Sequence, residues 1–148
     1  MSRSFVETIL FASVAINAAL LLFISGVLQK MMNAVNEAAF KNLIELMVRF
    51  SSRSPFMIIV LNMPFIVAIP YYYFYGFGNR WITAGLTVWL VAGSTAKIIK
   101  LPVYKAIAGL KAEDAAQLQL QRLKFNKGNI FQAILYTTAT ILTAFGLH

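Results

Sequence analysis

Residues 8–29 read TILFASVAINAALLLFISGVLQ, and this apolar run without a charged side chain decides the fold. A helix needs about 20 mostly apolar residues to cross the hydrocarbon core of a bilayer. Three later segments share this character, so membrane spans are predicted at about 6–29, 55–75, 81–99 and 128–147. Backbone groups in lipid must be hydrogen-bonded within their own segment, and the spans are therefore expected to be helices.

The composition supports the same class of protein. The chain has 148 residues, of which 59% are hydrophobic and only 12% are charged. A soluble domain carries roughly 25% charged residues. The sequence therefore predicts an all-α fold, an integral membrane four-helix transmembrane bundle that forms a single domain over 1–148.

Two amphipathic helices are expected between the spans, at about 31–50 and 112–127. The first has an apolar repeat at three- and four-residue spacing (Met32, Val35, Ala39, Leu43, Leu46 and Phe50). It is interpreted as an interfacial continuation of the first span or, alternatively, as a lid over a cavity. A turn is expected at Leu101-Pro102, and the 112–127 helix can continue into the fourth span.

Lysine and arginine are concentrated in the two long connections, whereas Arg3 and Arg80 lie on the opposite side. Cytoplasmic loops of membrane proteins carry an excess of these residues. Both termini are therefore predicted outside and both long loops in the cytoplasm, with the cell inner or plasma membrane as the location. The net charge is +8, and most of the basic residues that produce it lie between the apolar spans. This charge is therefore attributed to membrane topology, and no nucleic-acid partner is expected.

The residue supply argues against a metal or a thiol-based site. There is no cysteine, the one histidine is the terminal His148, and five carboxylates are spread along the chain. A di-iron bundle site needs about four carboxylates and two histidines. No metal and no cofactor are predicted.

Polar side chains within apolar spans are the best pointers to function, because they are costly in lipid. In the fourth span they recur on one helix face, namely Asn126, Asn129, Gln132, Tyr136, Thr140 and Thr143. They are interpreted either as hydrogen bonds between helices or as the wall of a polar cavity near the cytoplasmic end.

The other spans add single polar residues, and two of these, Lys97 and Glu7, have two interpretations. Asn17 must hydrogen-bond inward. Asn62 precedes Pro64, which frees the carbonyl four residues earlier, and a nearby amide can bond that carbonyl. Lys97 either extends to the headgroups or stabilises an anion, and Glu7 either sits among headgroups or acts as a base. Gly85 and Gly93 permit close helix approach.

Three short stretches carry a resemblance to a known family. They are residues 53–56 (RSPF), 100–104 (KLPVY) and 122–129 (RLKFNKGN). With the four-span layout, they resemble the anthrone oxygenase-like family of small four-helix membrane proteins. Pro102 and Asn126 match that family's motifs directly, whereas Lys100, Tyr104 and Asn129 replace two asparagines and an arginine.

The resemblance implies oxidation of an aromatic polyketide anthrone by oxygen, without metal or flavin. It makes Lys97, Lys100, Asn126 and Asn129 the candidate catalytic residues that hold an oxyanion. The candidate substrate-binding residues around them are Asn17, Asn62, Trp89, Gln132 and Tyr136.

The expected partners are the lipid bilayer and a hydrophobic aromatic molecule, polyketide- or quinone-like. A homo-oligomer and a larger membrane complex both remain open. The alternative function is a non-enzymatic accessory subunit of such a complex.

Overall fold

The computed structural model describes residues 2–148, which form five helices and no strand. The helices are α1 (Arg3–Asn33), α2 (Glu37–Ser51), α3 (Pro55–Tyr75), α4 (Arg80–Gly109) and α5 (Ala115–Phe145). Three of them, α1, α3 and α4, are long and apolar enough to cross a membrane. This confirms the all-helical prediction and gives candidate membrane-crossing helices at the first three predicted positions, whereas within residues 2–148 the helix at the fourth position is not among them.

Short polar caps divide the chain into these helices. The side chains of Ser2, Asn36, Ser54 and Asn79 each accept a hydrogen bond from a backbone N–H in the first turn of the following helix. The cap at Asn36 explains why the first amphipathic helix begins at Glu37 and not near residue 31. Gly76 follows α3 with a φ of 65°, a conformation that glycine adopts without steric cost.

Two helices contain a π-helical segment, Ile24–Leu28 in α1 and Ala96–Lys100 in α4. The turn predicted at Leu101-Pro102 is absent, and α4 continues to Gly109. The π segment shifts the hydrogen-bond register immediately before the proline. Pro102 then lies in the first turn of the next α-helical stretch, where its missing N–H costs nothing.

Helix α5 is central to the packing. It lies against α4 and α1 along their length, and α3 packs on the other side of α1. At the end that holds both termini, called the terminal end, Leu10, Val14, Tyr71, Ile82 and Leu86 belong to the first hydrophobic core. The 31 residues of α5 extend about 46 Å at 1.5 Å per residue, so one continuous helix joins this core to the opposite end.

A second core lies at the opposite end, called the loop end, between α2, α4 and α5. It contains Met32, Phe40, Ile44, Val103, Ile107, Leu118 and Phe125. Of the apolar repeat predicted from the sequence, only Met32 belongs to this core, and Val35 packs against it. Leu43, Leu46 and Phe50 are 43%, 47% and 67% exposed, whereas Phe40 and Ile44 are buried. Helix α2 has two apolar faces, and the sequence period identified only the outer one.

Candidate functional site

The polar face of α5 is turned inward. Asn129, Gln132, Tyr136 and Thr143 are all buried. Gln132 donates from Nε2 to the Ala92 carbonyl on α4 at 3.0 Å, and the Thr95 hydroxyl donates to the same carbonyl at 2.6 Å. This carbonyl lies just before the π segment of α4. Gln132, predicted to bind substrate, therefore joins two helices.

Asn17 also joins two helices. Its Nδ2 donates at 3.0 Å to the Ser13 carbonyl and, across to α3, at 3.0 Å to the Val60 carbonyl. Val60 is four residues before Pro64, so its carbonyl is the one that the proline leaves without an N–H partner. Asn62 does not serve this carbonyl, because it is exposed and donates to Ile58 on its own helix.

The two lysines of the α4 π segment differ sharply. Lys97 is exposed, whereas Lys100 is only 7% exposed. The Lys100 ammonium lies 6.0 Å from the centre of the Phe125 ring, and no acidic side chain within residues 2–148 forms an ion pair with it. A buried cation without a negative partner is costly, so this environment is suited to an added anion.

Asn129 lies on α5, four residues after the Phe125 whose ring Lys100 approaches. A Cβ placed on the neighbouring Gly128 would stand 3.7 Å from Lys100 Cγ, so the helices are in close contact here. Asn129 is fully buried, and neither Oδ1 nor Nδ2 has a hydrogen-bond partner in the part of the chain that the structure describes. Buried amides are normally bonded, and an unpaired one points to a ligand.

Helices α1 and α4 depart from α-helical geometry where they contact α5. Both π segments, Ile24–Leu28 and Ala96–Lys100, pack against α5. Such segments are rare and are frequent at functional sites. Lys100, the last residue of the α4 π segment, and Asn129 of α5 are together called the Lys100–Asn129 site below.

The other predicted residues lie outside this site or have other bonds. Asn126 donates from Nδ2 to Asn33 Oδ1 at 2.9 Å. Trp89 lies on the side of α4 that borders an apolar groove of about 280 Å³ against α3. A Cβ at Gly93 would stand 3.7 Å from the Tyr136 hydroxyl, which places that hydroxyl beside α4.

Sequence reasoning missed a carboxylate centre at the terminal end. Glu7 is 7% exposed and its Oε1 accepts hydrogen bonds from Arg3 Nε at 2.9 Å, Tyr71 at 2.9 Å and Asn79 at 3.2 Å. Asn79 also donates to the Gly146 carbonyl at 2.7 Å. These donors draw α1, α3, the α3–α4 turn and the C-terminus together, so the Glu7 side chain faces the bundle.

A second centre, at the loop end, was also missed. Arg122 of α5 is paired with Glu37 at 2.9 Å and donates to the Val35 and Asn36 carbonyls. Its guanidinium lies 4.5 Å from the centre of the Phe40 ring. The arginine thereby fixes the start of α2. Arg122 is close in sequence to Lys124 and Lys127, and nothing in the sequence distinguishes its role from theirs.

Among the described residues, no group of three His, Cys, Asp or Glu side chains could hold a metal ion. No family model, no curated protein and no solved structure matches this chain. The case for function therefore depends on the site itself.

Proposed function

We propose that the chain is an integral membrane protein in which α1, α3, α4 and the second half of α5 cross the bilayer. The bonds of Glu7 and Asn79 hold the N-terminal turn, the α3–α4 turn and the C-terminus at one end, as an even number of crossings requires. The distribution of Lys and Arg supports a cytoplasmic loop end and an outer terminal end.

Within this bundle, we propose that the Lys100–Asn129 site binds the anion of a hydrophobic aromatic molecule, polyketide- or quinone-like. The observation that carries the proposal is a buried lysine of α4 that forms no ion pair within residues 2–148, together with a fully buried amide of α5 that has no hydrogen-bond partner among them. The ammonium would neutralise an ionised ring oxygen, and Asn129 Nδ2 would donate a hydrogen bond to it. The Phe125 ring, near the lysine, suits a flat apolar ligand.

The proposed reaction is the oxidation of this anion by molecular oxygen. In the anthrone case a ring CH₂ becomes a carbonyl, one oxygen atom enters the product and the other leaves in water. Holding the anion in a dry site stabilises the form that reacts with oxygen. The reaction and the aromatic ligand class follow the family resemblance, whereas the buried lysine and amide support an anionic ligand.

The test compares Lys100→Met with Lys105→Met, an exposed lysine on the same helix. Purified protein is supplied with an anthrone, and binding and oxygen uptake are measured. We expect Lys100→Met and Asn129→Leu to lower binding at least tenfold, about 1.4 kcal/mol, and Lys105→Met to bind as the wild type does.

Unchanged binding in Lys100→Met would overturn the site. Binding that depends on Lys100 without oxygen uptake would retain the site and remove the oxygenase activity. Binding by Lys97→Met is measured as well. A loss as large as that of Lys100→Met would favour the site predicted from the sequence, which includes Lys97 and Asn126.

A second function, an accessory subunit of a larger membrane complex, is favoured by a separate observation. Asn17, Gln132 and Asn126 are engaged in bonds between helices, as expected for a scaffold. Purification in a mild detergent, followed by intact-mass analysis of the particle, separates the two functions. A stoichiometric foreign subunit without a bound aromatic molecule would support the accessory function.

A further inference from the structure

A groove of about 580 Å³ runs between α4 and α5 on the outside of the bundle, next to the Lys100–Asn129 site but not part of it. One wall is apolar and comes from α4, with Ile99 and Val103. The other comes from α5, with Gln121, Lys124, Lys127 and Phe131. No acidic side chain lines it among residues 2–148.

The groove changes from apolar to basic along its length. Phe131 lies inside the fourth proposed span, whereas Lys127 and Lys124 follow towards the loop end. Gln121 and Phe131 are ten residues apart on one helix, which is about 15 Å. A phospholipid changes from apolar to charged over a similar length, because its acyl chain lies in the bilayer and its phosphate lies at the membrane surface.

The floor of the groove is tight. A Cβ at Gly128 would lie 3.2 Å from Ile99 Cγ2, so the two helices touch behind the groove. Lys124 and Lys127 are exposed, and within the described residues neither forms an ion pair. Both ammonium groups are therefore available to a ligand in the groove.

We infer that this groove binds an anionic phospholipid of the cytoplasmic leaflet, with its phosphate at Lys124 and Lys127 and an acyl chain along Ile99 and Phe131. The charge of the groove favours an anionic over a zwitterionic headgroup. The inference rests on the proposed membrane insertion and is independent of the proposed reaction.

The experiment is native mass spectrometry of the detergent-purified protein, titrated with dioleoyl phosphatidylglycerol or dioleoyl phosphatidylcholine. We expect a one-to-one adduct that prefers phosphatidylglycerol. Lys124→Gln with Lys127→Gln should weaken it roughly thirty-fold, since each lysine near an anionic lipid contributes about fivefold. The matched control replaces Lys105 and Lys111, two exposed lysines outside the groove, and should keep the adduct.

Three results would overturn the inference: equal binding of the two lipids, equal loss in the control, or full displacement by water-soluble glycerol phosphate, which would indicate a free-phosphate site. If neither lipid binds at all, and cysteine labelling of the chain in cells finds no membrane topology, the membrane insertion itself has failed. Lys100→Met should leave the phosphatidylglycerol adduct unchanged, which separates this groove from the Lys100–Asn129 site.

Discussion

At the scale of single residues, Asn17 explains how a proline is accommodated inside the long apolar helix α3. Pro64 leaves the Val60 carbonyl without its helical partner, and the amide of another helix supplies the missing donor. In the proposed membrane position of α3, no solvent would be available for that carbonyl. One amide in an apolar run thereby fixes the position of α3 on α1.

Replacing Asn17 with leucine should therefore lower the free energy of unfolding by about 1–2 kcal/mol. In a Pro64→Ala background the loss should be smaller, because residue 64 then has an N–H for the Val60 carbonyl. The measurement is unfolding in detergent micelles of four proteins: the wild type, Asn17→Leu, Pro64→Ala and the double variant. Asn62→Leu is the matched control, since its amide bonds only to its own helix. An equal loss in both backgrounds would disprove the role assigned to Asn17.

At the scale of helices, Gly85 and Gly93 of α4 differ in their surroundings although their neighbours in the sequence are alike. A Cβ at Gly85 would stand 2.5 Å from Thr143 Cγ2 and 2.9 Å from the Ala139 carbonyl oxygen. At Gly93 the nearest atom, the Tyr136 hydroxyl, is 3.7 Å away, an ordinary contact. Helices α4 and α5 thus approach most closely at the terminal end.

We expect Gly85→Ala to destabilise the protein by about 1–3 kcal/mol, because a backbone carbonyl blocks the methyl group and the helices must separate. Gly93→Ala should be neutral or stabilising by up to about 1 kcal/mol, since alanine is the better helix former. Thermal unfolding of the two variants under identical detergent conditions measures the difference. Equal effects would contradict the close approach at Gly85.

Helix α2 shows how a helix with two apolar faces misleads sequence analysis. The period of Leu43, Leu46 and Phe50 is genuine, yet these side chains are exposed and Phe40 and Ile44 are buried. Periodicity reports that a face is apolar but not which neighbour covers it. The outer face agrees with the interfacial interpretation, in which lipid contacts it.

At the scale of the whole molecule, the termini and the loops are predicted on opposite sides of the membrane. The chain has no cysteine, so single cysteines can be introduced and labelled without background. With a membrane-impermeant maleimide on intact cells, Ser2→Cys and His148→Cys should react, whereas Ser52→Cys and Lys111→Cys should react only after lysis. All four native side chains are exposed. The reverse pattern would invert the topology, and labelling at all four positions in intact cells would exclude it.

The sequence by itself determined the helical class and the positions of the apolar segments. Hydropathy and helix capping depend on residues that are close together along the chain, so they can be read without the tertiary structure. Helix α3 begins at Pro55, where the second span was predicted to begin, and Ser54 caps it. Helix α5 runs without a break from Ala115 to Phe145, and the sequence analysis had allowed this continuation. The polar face of α5 was also recognised from its spacing.

Only the tertiary structure decided which polar groups are partnered. Asn17 and Gln132 are bonded to carbonyls on other helices, and Glu7 collects three donors. Within residues 2–148 the Lys100 ammonium forms no ion pair, and the Asn129 amide has no hydrogen-bond partner. Those outcomes depend on rotation and distance between helices that are far apart in sequence. A helix period fixes the face on which a side chain lies, whereas the donor or acceptor opposite that face is set by packing of the whole bundle.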